Sequence, residues 1–423
     1  MPNLIRLRLQ QCRRCRHFPQ FGLNKLKHME IHEMEFLEYV PEKCLKSLSS
    51  LESLEIWGCP RLTSLALGLQ HLSKLVDLSI EYCEELDLSK DENGNIIISD
   101  LHGGLQSLRS VNFSHLPKLE SLSQWLLQAR NLERLNIEHC NGLKALPERI
   151  EALQSLQLLK ISDCKELHSS KDESGNIILD FHGGLQSLRS VVFTHLPKLE
   201  SLPQWLLQAR NLESLQIWRC YNLRALPERI EALQSLQRLE ISECDSLMSL
   251  PERIEALQSL QRLEISGCDS LTSLPEGMQG LASLTHLCIS GCKELDSSKD
   301  ERGNILDFHG GLQSLRSVEI GFLPKVEPLP PWLLQLSNLE HLYIWHCLNL
   351  KALPEQIEAL QSLQELKIWY CPSLTSLPEG MRRLTSLTHL RFYGCRGLEE
   401  RCKRDAGEDW CKIAHISNIY ILP

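Results

Sequence analysis

No glycine is followed by lysine anywhere in these 423 residues. The G-x-x-x-x-G-K-[ST] loop that grips a nucleotide phosphate therefore has no place to form. The G-x-S-x-G nucleophile elbow and the H-E-x-x-H zinc helix are missing too. Cys12-x-x-Cys15 stands alone, without the second pair that a zinc site needs. His28 and His32 lie four apart, which on a strand puts them on one face but too far apart to share a metal. No apolar run nears the roughly 18 residues of a membrane span; Ile96 to Ile98 is typical. The opening MPNLIRLRLQQC has no apolar core of signal-peptide length. With a net charge of -9 and acids and bases interspersed, a basic stripe for nucleic acid is lacking as well. These absences point to a non-catalytic chain with no cofactor and no metal, in the cytoplasm or the nucleus.

What is present is repetition. L-x-x-L-x-I-x-x-C-x-x-L-x-x-L-P-x-x-I-x-x-L-x-S recurs about every 24 residues, most cleanly from Leu212 through Leu236 and Leu260 to Leu284. A fixed period of that size is the mark of a solenoid, in which no rung can bury its apolar face without a neighbour. Rungs begin at Leu4, Leu26, Leu51, Leu75, Leu108, Leu132, Leu156, Leu188, Leu212, Leu236, Leu260, Leu284, Leu315, Leu339, Leu363 and Leu387. The pattern resembles a leucine-rich repeat. It predicts an α/β solenoid, a leucine-rich-repeat horseshoe with a parallel concave β-sheet and an irregular or short-helical convex side. In the L-x-x-L-x-I core, Leu212, Leu215 and Ile217 turn inward. The hydrophobic share of 42% can fill such a core.

Twelve of the 17 cysteines occupy one slot of the repeat: Cys12, Cys59, Cys83, Cys140, Cys164, Cys220, Cys244, Cys268, Cys292, Cys347, Cys371 and Cys395. Met34, Leu116, Leu196 and Leu323 take that slot in the other rungs. The slot therefore asks for apolar volume rather than sulfur chemistry, and a thiol serves there as a small hydrophobe. Rungs about 5 Å apart would permit disulfides, so a column of free thiols implies a reducing compartment.

Three rungs carry inserts of nearly the same text, near residues 87–104, 168–184 and 296–311, which marks a duplicated block of about three rungs. Gly94-Asn95, Gly175-Asn176 and Gly303-Asn304 supply turn chemistry, so a short extra hairpin or strand is expected in each. The acid-rich D-E-N-G-N lacks the ligand spacing of a calcium loop. His102, His182 and His309 each precede a Gly-Gly and read as turn residues at the re-entry to the rung. On the outer side Pro147, Pro227, Pro251 and Pro354 forbid a ladder strand. Ile230 and Leu233 face inward there, while Glu228, Arg229 and Glu231 face water. Residues 1–398 read as one solenoid of about 16 rungs and 399–423 as a C-terminal cap, with Trp410, Ile413, Ile416 and Ile419 available to cover the last rung. Leu4, Leu7 and Leu9 have one bare side, as expected of a fragment or of a start that once followed another domain.

Alternate strand residues must face solvent. After the inward Ile or Phe, most rungs place a small or charged residue, such as Ser242 or Ser266, but Trp57, Trp218, Trp345, Trp369 and Tyr393 break that rule. The last three belong to consecutive rungs and predict a ladder spaced by about 5 Å. Tyr343, His346, Lys367, Tyr370, His389 and Arg391 surround it, a composition suited to a binding hot spot. The competing role for these rings is cross-strand stacking that only stabilises the sheet.

The rungs, as in Leu236 to Pro251, and the ending GEDWCKIAHISNIYI from Gly407 together resemble the C-terminal leucine-rich-repeat region of plant nucleotide-binding leucine-rich-repeat disease-resistance proteins, particularly the coiled-coil class. Ser417 stands where that family commonly has proline. The resemblance implies a recognition module that senses a pathogen effector or a modified host protein and restrains a nucleotide-binding domain. That domain is not in this chain, so its switching does not carry over. The alternative is a stand-alone intracellular scaffold or adaptor, also with protein partners.

Overall fold

The L-x-x-L-x-I core becomes one five-residue strand per rung. A computed structural model describes residues 3–12, 15–16, 18, 23–88, 105–122, 124–146, 150–168, 185–300, 302–308 and 310–422. The chain divides into two units, residues 1–212 and 213–423. In the first, β1 (Arg6–Gln10), β2 (His28–His32), β3 (Ser53–Trp57), β4 (Asp77–Glu81), β5 (Ser110–Ser114), β6 (Arg134–Glu138), β7 (Leu158–Ser162) and β8 (Ser190–Thr194) form a parallel sheet in sequence order. In the second, β9 (Ser214–Trp218), β10 (Arg238–Ser242), β11 (Arg262–Ser266), β12 (His286–Ser290), β13 (Ser317–Gly321), β14 (His341–Trp345), β15 (Glu365–Trp369), β16 (His389–Tyr393) and β17 (Asn418–Leu422) do the same.

Register follows the apolar pattern, since a slip of one residue would turn every leucine to water. Leu215, Leu239, Leu263 and Leu287 stand side by side, as do Ile217, Ile241, Ile265 and Ile289. All are buried, and so are the leading residues Leu212, Leu236, Leu260 and Leu284. The outer side returns through 3-10 turns. In one rung Pro251 caps Glu252–Ala256, with Ile254 inward; in another, Ile230–Ala232 buries Ile230 while Glu228 and Arg229 stay exposed. A 3-10 turn is tighter and more extended per residue than an α-turn.

Every rung leaves its strand in the same way. The residue after each of β1 to β16 has a positive φ: glycine at Gly58, Gly267, Gly291 and Gly394, and a side-chain residue in the other twelve, from Gln11 to Tyr370. The turn keeps the ladder going for one more bond. Glu243 donates its N–H to the Ser266 carbonyl at 2.8 Å, and Tyr370 to the Tyr393 carbonyl at 2.7 Å. The next residue is the cysteine of the repeat. Cys244 is fully buried and points its thiol at the Ser242 carbonyl (3.5 Å) and the Ile217 carbonyl (3.8 Å). Met34, Leu116, Leu196 and Leu323 are buried in the same slot, and all 17 cysteines are free thiols. Cys12, in the first rung, is half-buried.

The third insert forms a minimal hairpin. Lys299 and Ile305 make one antiparallel bridge around Gly303, whose φ is +80°. The Asp300 carboxylate closes the loop, accepting the N–H of Asn304 (2.7 Å) and of Arg302 (2.9 Å). The following rung seals against it: Trp332 is fully buried and donates its indole N–H to the Ser297 carbonyl at 2.8 Å, with the Phe308 ring 5.3 Å away. The turns expected at Gly94-Asn95 and Gly175-Asn176, and the residues Pro147, His102, His182 and His309, lie outside the described residues.

The chain after Leu398 does more than shield an end. Its helix Trp410–Ile413 buries Ile413, and Asn418–Leu422 pairs in parallel with β16 as a further strand. No periodic residue announces that strand, because its inward pair, Ile419 and Ile421, follows a loop rather than a rung.

Candidate functional site

The open face of β14 to β17 is built from three columns of outward side chains. His341, Glu365, His389 and Asn418 form the first column, Tyr343, Lys367, Arg391 and Tyr420 the middle one, and Trp345, Trp369, Tyr393 and Leu422 the last. Nine of the residues singled out by sequence converge here: Tyr343, Trp345, His346, Lys367, Trp369, Tyr370, His389, Arg391 and Tyr393. Two do not. Trp57 belongs to β3 of the other unit, and Trp218 on β9 is separated from Trp345 by Ser242, Ser266, Ser290 and Gly321.

Glu365 organises the patch, though its repeat position gives no hint of it. Its carboxylate accepts the Tyr343 hydroxyl at 2.8 Å and pairs with Lys367 Nζ at 3.1 Å, with Arg391 Nε at 3.7 Å. Burial alone would raise the Glu365 carboxyl, but the Tyr343 and Lys367 bonds outweigh it and hold the group below the usual range. Burial and the bond to Glu365 push the Tyr343 hydroxyl up to about 12. Lys367 Nζ also sits 4.1 Å over the Tyr343 ring, so these groups hold one another in place.

Trp345, Trp369 and Tyr393 are aligned in register. The Trp345 indole leans onto β13, filling the space over Gly321: a Cβ there would lie 2.2 Å from Trp345 Cε2. The close stacking runs one residue further on, through the left-handed positions. Phe322 stacks on His346 at 4.3 Å, His346 on Tyr370 at 4.6 Å, and Tyr370 meets Tyr393 edge-on at 4.9 Å. The signal for this second column is the residue just before the cysteine in I-x-x-C, where backbone geometry rather than core volume sets the constraint. Trp369 is 44% and Tyr393 38% exposed, so both remain available to a partner.

The same position builds a different column in the first unit. Tyr82 stacks on His115 at 4.0 Å, His115 lies 4.3 Å from His139, and Asp163 sits between His139 (3.9 Å) and His195 (2.6 Å). Burial and the neighbouring His139 lower the pKa of His115. A depressed imidazole is neutral in the fold at a pH where the unfolded chain already binds a proton, so it costs stability as pH falls below about 6.5. In a proton NMR titration, His115 is expected to titrate below an exposed histidine. His115→Gln should flatten the loss of melting temperature on mild acidification. An ordinary His115 titration with an unchanged slope would remove this account of the column.

Among the described residues no group of three His, Cys, Asp or Glu side chains could hold a metal, and no helix is long and apolar enough to cross a membrane. A family model for a leucine-rich repeat region matches residues 212–347, and one for plant disease resistance protein RPS2-like leucine-rich repeats matches residues 125–250. No curated protein matches the chain. Among solved structures, a leucine-rich-repeat protein of Leptospira interrogans is 21% identical over 85% of this chain and 93% of its own, with a TM-score of 0.40. An internalin of Listeria monocytogenes is 15% identical over 82% and 81%, with a TM-score of 0.45. The functional domain of InlJ from the same organism, described as including a cysteine ladder, is 15% identical over 84% and 69%, with a TM-score of 0.42. One strand per rung, a buried leucine, isoleucine and cysteine column, and two matching family models make this chain a leucine-rich-repeat solenoid.

Proposed function

We propose that this chain is the recognition region of a plant immune receptor, one that senses a pathogen effector or a modified host protein and restrains a nucleotide-binding domain supplied elsewhere. A leucine-rich-repeat domain is a protein-interaction scaffold, and neither matching family is catalytic. The receptor reading is supported by the RPS2-like match over residues 125–250 and by the resemblance of the ending from Gly407. The observation that carries the binding site is the in-register set Trp345, Trp369 and Tyr393, of which Trp369 and Tyr393 are exposed and Trp345 is half-buried against β13. It stands off the core on β14 to β16, beside the column in which Glu365 ties Tyr343 to Lys367.

Rings of this kind anchor interfaces, and truncating an anchor typically costs about 2 kcal/mol, roughly thirtyfold in affinity. The triple variant Trp345→Ala, Trp369→Ala, Tyr393→Ala is therefore expected to lose recognition in a reconstituted full-length receptor while keeping its melting temperature. Recognition that survives alongside a lowered melting temperature would show that the rings only stabilise the sheet.

A further inference from the structure

The tail strand turns the aromatic column into a cleft. Tyr420 and Leu422, both more than half exposed, stand beside Arg391 and Tyr393 on the neighbouring strand. Together with Trp369 and Tyr370 they line an open cleft of about 590 Å³. With Phe392 beneath them, six of the seven lining residues are apolar or aromatic, and the seventh, Arg391, brings a cation into the cleft. Its guanidinium lies 5.5 Å over the Tyr420 ring.

The charges around the cleft are uneven. The outward residues of β14 to β17 include Lys367, Arg391 and the carboxylate of Glu365, with His341 and His389 beside them. Tyr343 and Lys367 already bond Glu365 closely, while Arg391 Nε, buried and without a hydrogen-bond acceptor, stays 3.7 Å away. One cation is thus left over on this face, although the chain as a whole carries -9. The Arg391 side chain is 43% exposed, and the two terminal nitrogens of a guanidinium are a fork for a carboxylate. Ring walls favour a ring as occupant, because edge and offset stacking add to simple burial.

We propose that this cleft receives a protein segment in which a large aromatic side chain is flanked by carboxylates, with the ring between Trp369, Tyr393 and Tyr420 and a carboxylate on Arg391. The proposal rests on the reading of the β14–β16 face as the partner-binding site, and it names the chemistry of that partner.

The test measures fluorescence anisotropy of short labelled peptides on the full chain. One presents Asp-Trp-Glu in a glycine-serine frame, a second Asn-Trp-Gln, a third Asp-Ala-Glu and a fourth Lys-Trp-Arg. The acidic tryptophan peptide is expected to bind best, with about tenfold loss on removing either its charge or its ring. Arg391→Gln should abolish the preference for the acidic peptide over its amide form, yet leave ring-dependent binding. Tyr420→Ala should weaken both peptides alike, and Trp57→Ala neither. If the basic or the neutral tryptophan peptide binds as well as the acidic one and binding is still lost in the triple alanine variant, the proposed chemistry is wrong while the site stands. If no peptide binds, or binding survives the triple variant, both fail.

Discussion

Replacing Asp409 by alanine is expected to destabilise the last rungs by about 3 kcal/mol and to release the tail strand. This carboxylate is fully buried. One oxygen accepts the Leu377 N–H (2.9 Å) and Arg401 Nε (3.0 Å); the other accepts the second Arg401 nitrogen (3.2 Å) and Lys412 Nζ (2.9 Å). Lys412 in turn donates to the Leu377 carbonyl. Alanine would strand the buried Leu377 N–H and take the shared anion from Arg401, left with Glu408, and from Lys412, left with Glu379 and the Leu377 carbonyl, whereas Asn keeps the shape and one acceptor and should cost less. Burial opposes ionisation of Asp409, but the bonds from Arg401, Leu377 and Lys412 win and lower its pKa. A depressed carboxyl contributes stability above its unfolded value of about 3.9 and loses it as pH falls through the folded one, so the tail should hold at neutral pH and loosen in acid. Hydrogen exchange at Asn418–Leu422 reads this directly; unchanged protection in the alanine variant would remove Asp409 from its assigned role. The same variant should empty the aromatic cleft of two of its walls, because Tyr420 and Leu422 travel with the strand.

The cysteine column carries the other large effect. Cys244→Ala should cost about 1–2 kcal/mol, and Cys244→Asp about 4 kcal/mol or more. The thiol is fully buried and faces two carbonyl oxygens, so a carboxylate there would lose its water and meet lone pairs. Burial pushes the thiols of Cys140, Cys164 and Cys244 up to about 12. A raised thiol favours the fold until the unfolded chain begins to ionise near 8.5, and that contribution fades as pH rises further. Denaturant midpoints should therefore drop above about pH 8.5, less steeply in Cys→Ala variants. In the native protein most of the column should resist thiol reagents; rapid labelling, or disulfides between rungs, would contradict a column of buried neutral thiols.

Sixteen strands and their inward residues were legible from Leu212, Leu215, Ile217 and their counterparts, because a period of 24 with apolar positions two apart admits one arrangement. The slot held by cysteine was legible from its exceptions, Met34 and Leu323. The aromatic face was found in part. Trp345, Trp369 and Tyr393 stand out because an exposed tryptophan on a strand needs a reason. Glu365 does not, since a single glutamate on an outward position has no pattern to break. Its role arises from Tyr343, Lys367 and Arg391, which lie in neighbouring rungs. Trp332 was hidden for the opposite reason: its neighbours Phe308 and Ser297 belong to an insert, where the period says nothing about what is inside. Tyr420 and Leu422 lie beyond the last repeat and acquire meaning only when β17 pairs with β16.

The left-handed residue after each strand has a consequence for how such a chain can change. A side chain there carries a backbone strain of roughly 1 kcal/mol that glycine would relieve, yet twelve rungs out of sixteen keep one. Gln, Glu, Tyr, His, Asp, Arg and Phe all occupy the position, so it accepts acidic, basic, amide and aromatic side chains alike. Whenever a block of rungs is copied, as the three near-identical inserts record, each copy brings a variable letter already seated beside its neighbours. The surface can then drift from stacked rings to ion pairs by single substitutions, while the leucines beneath stay fixed.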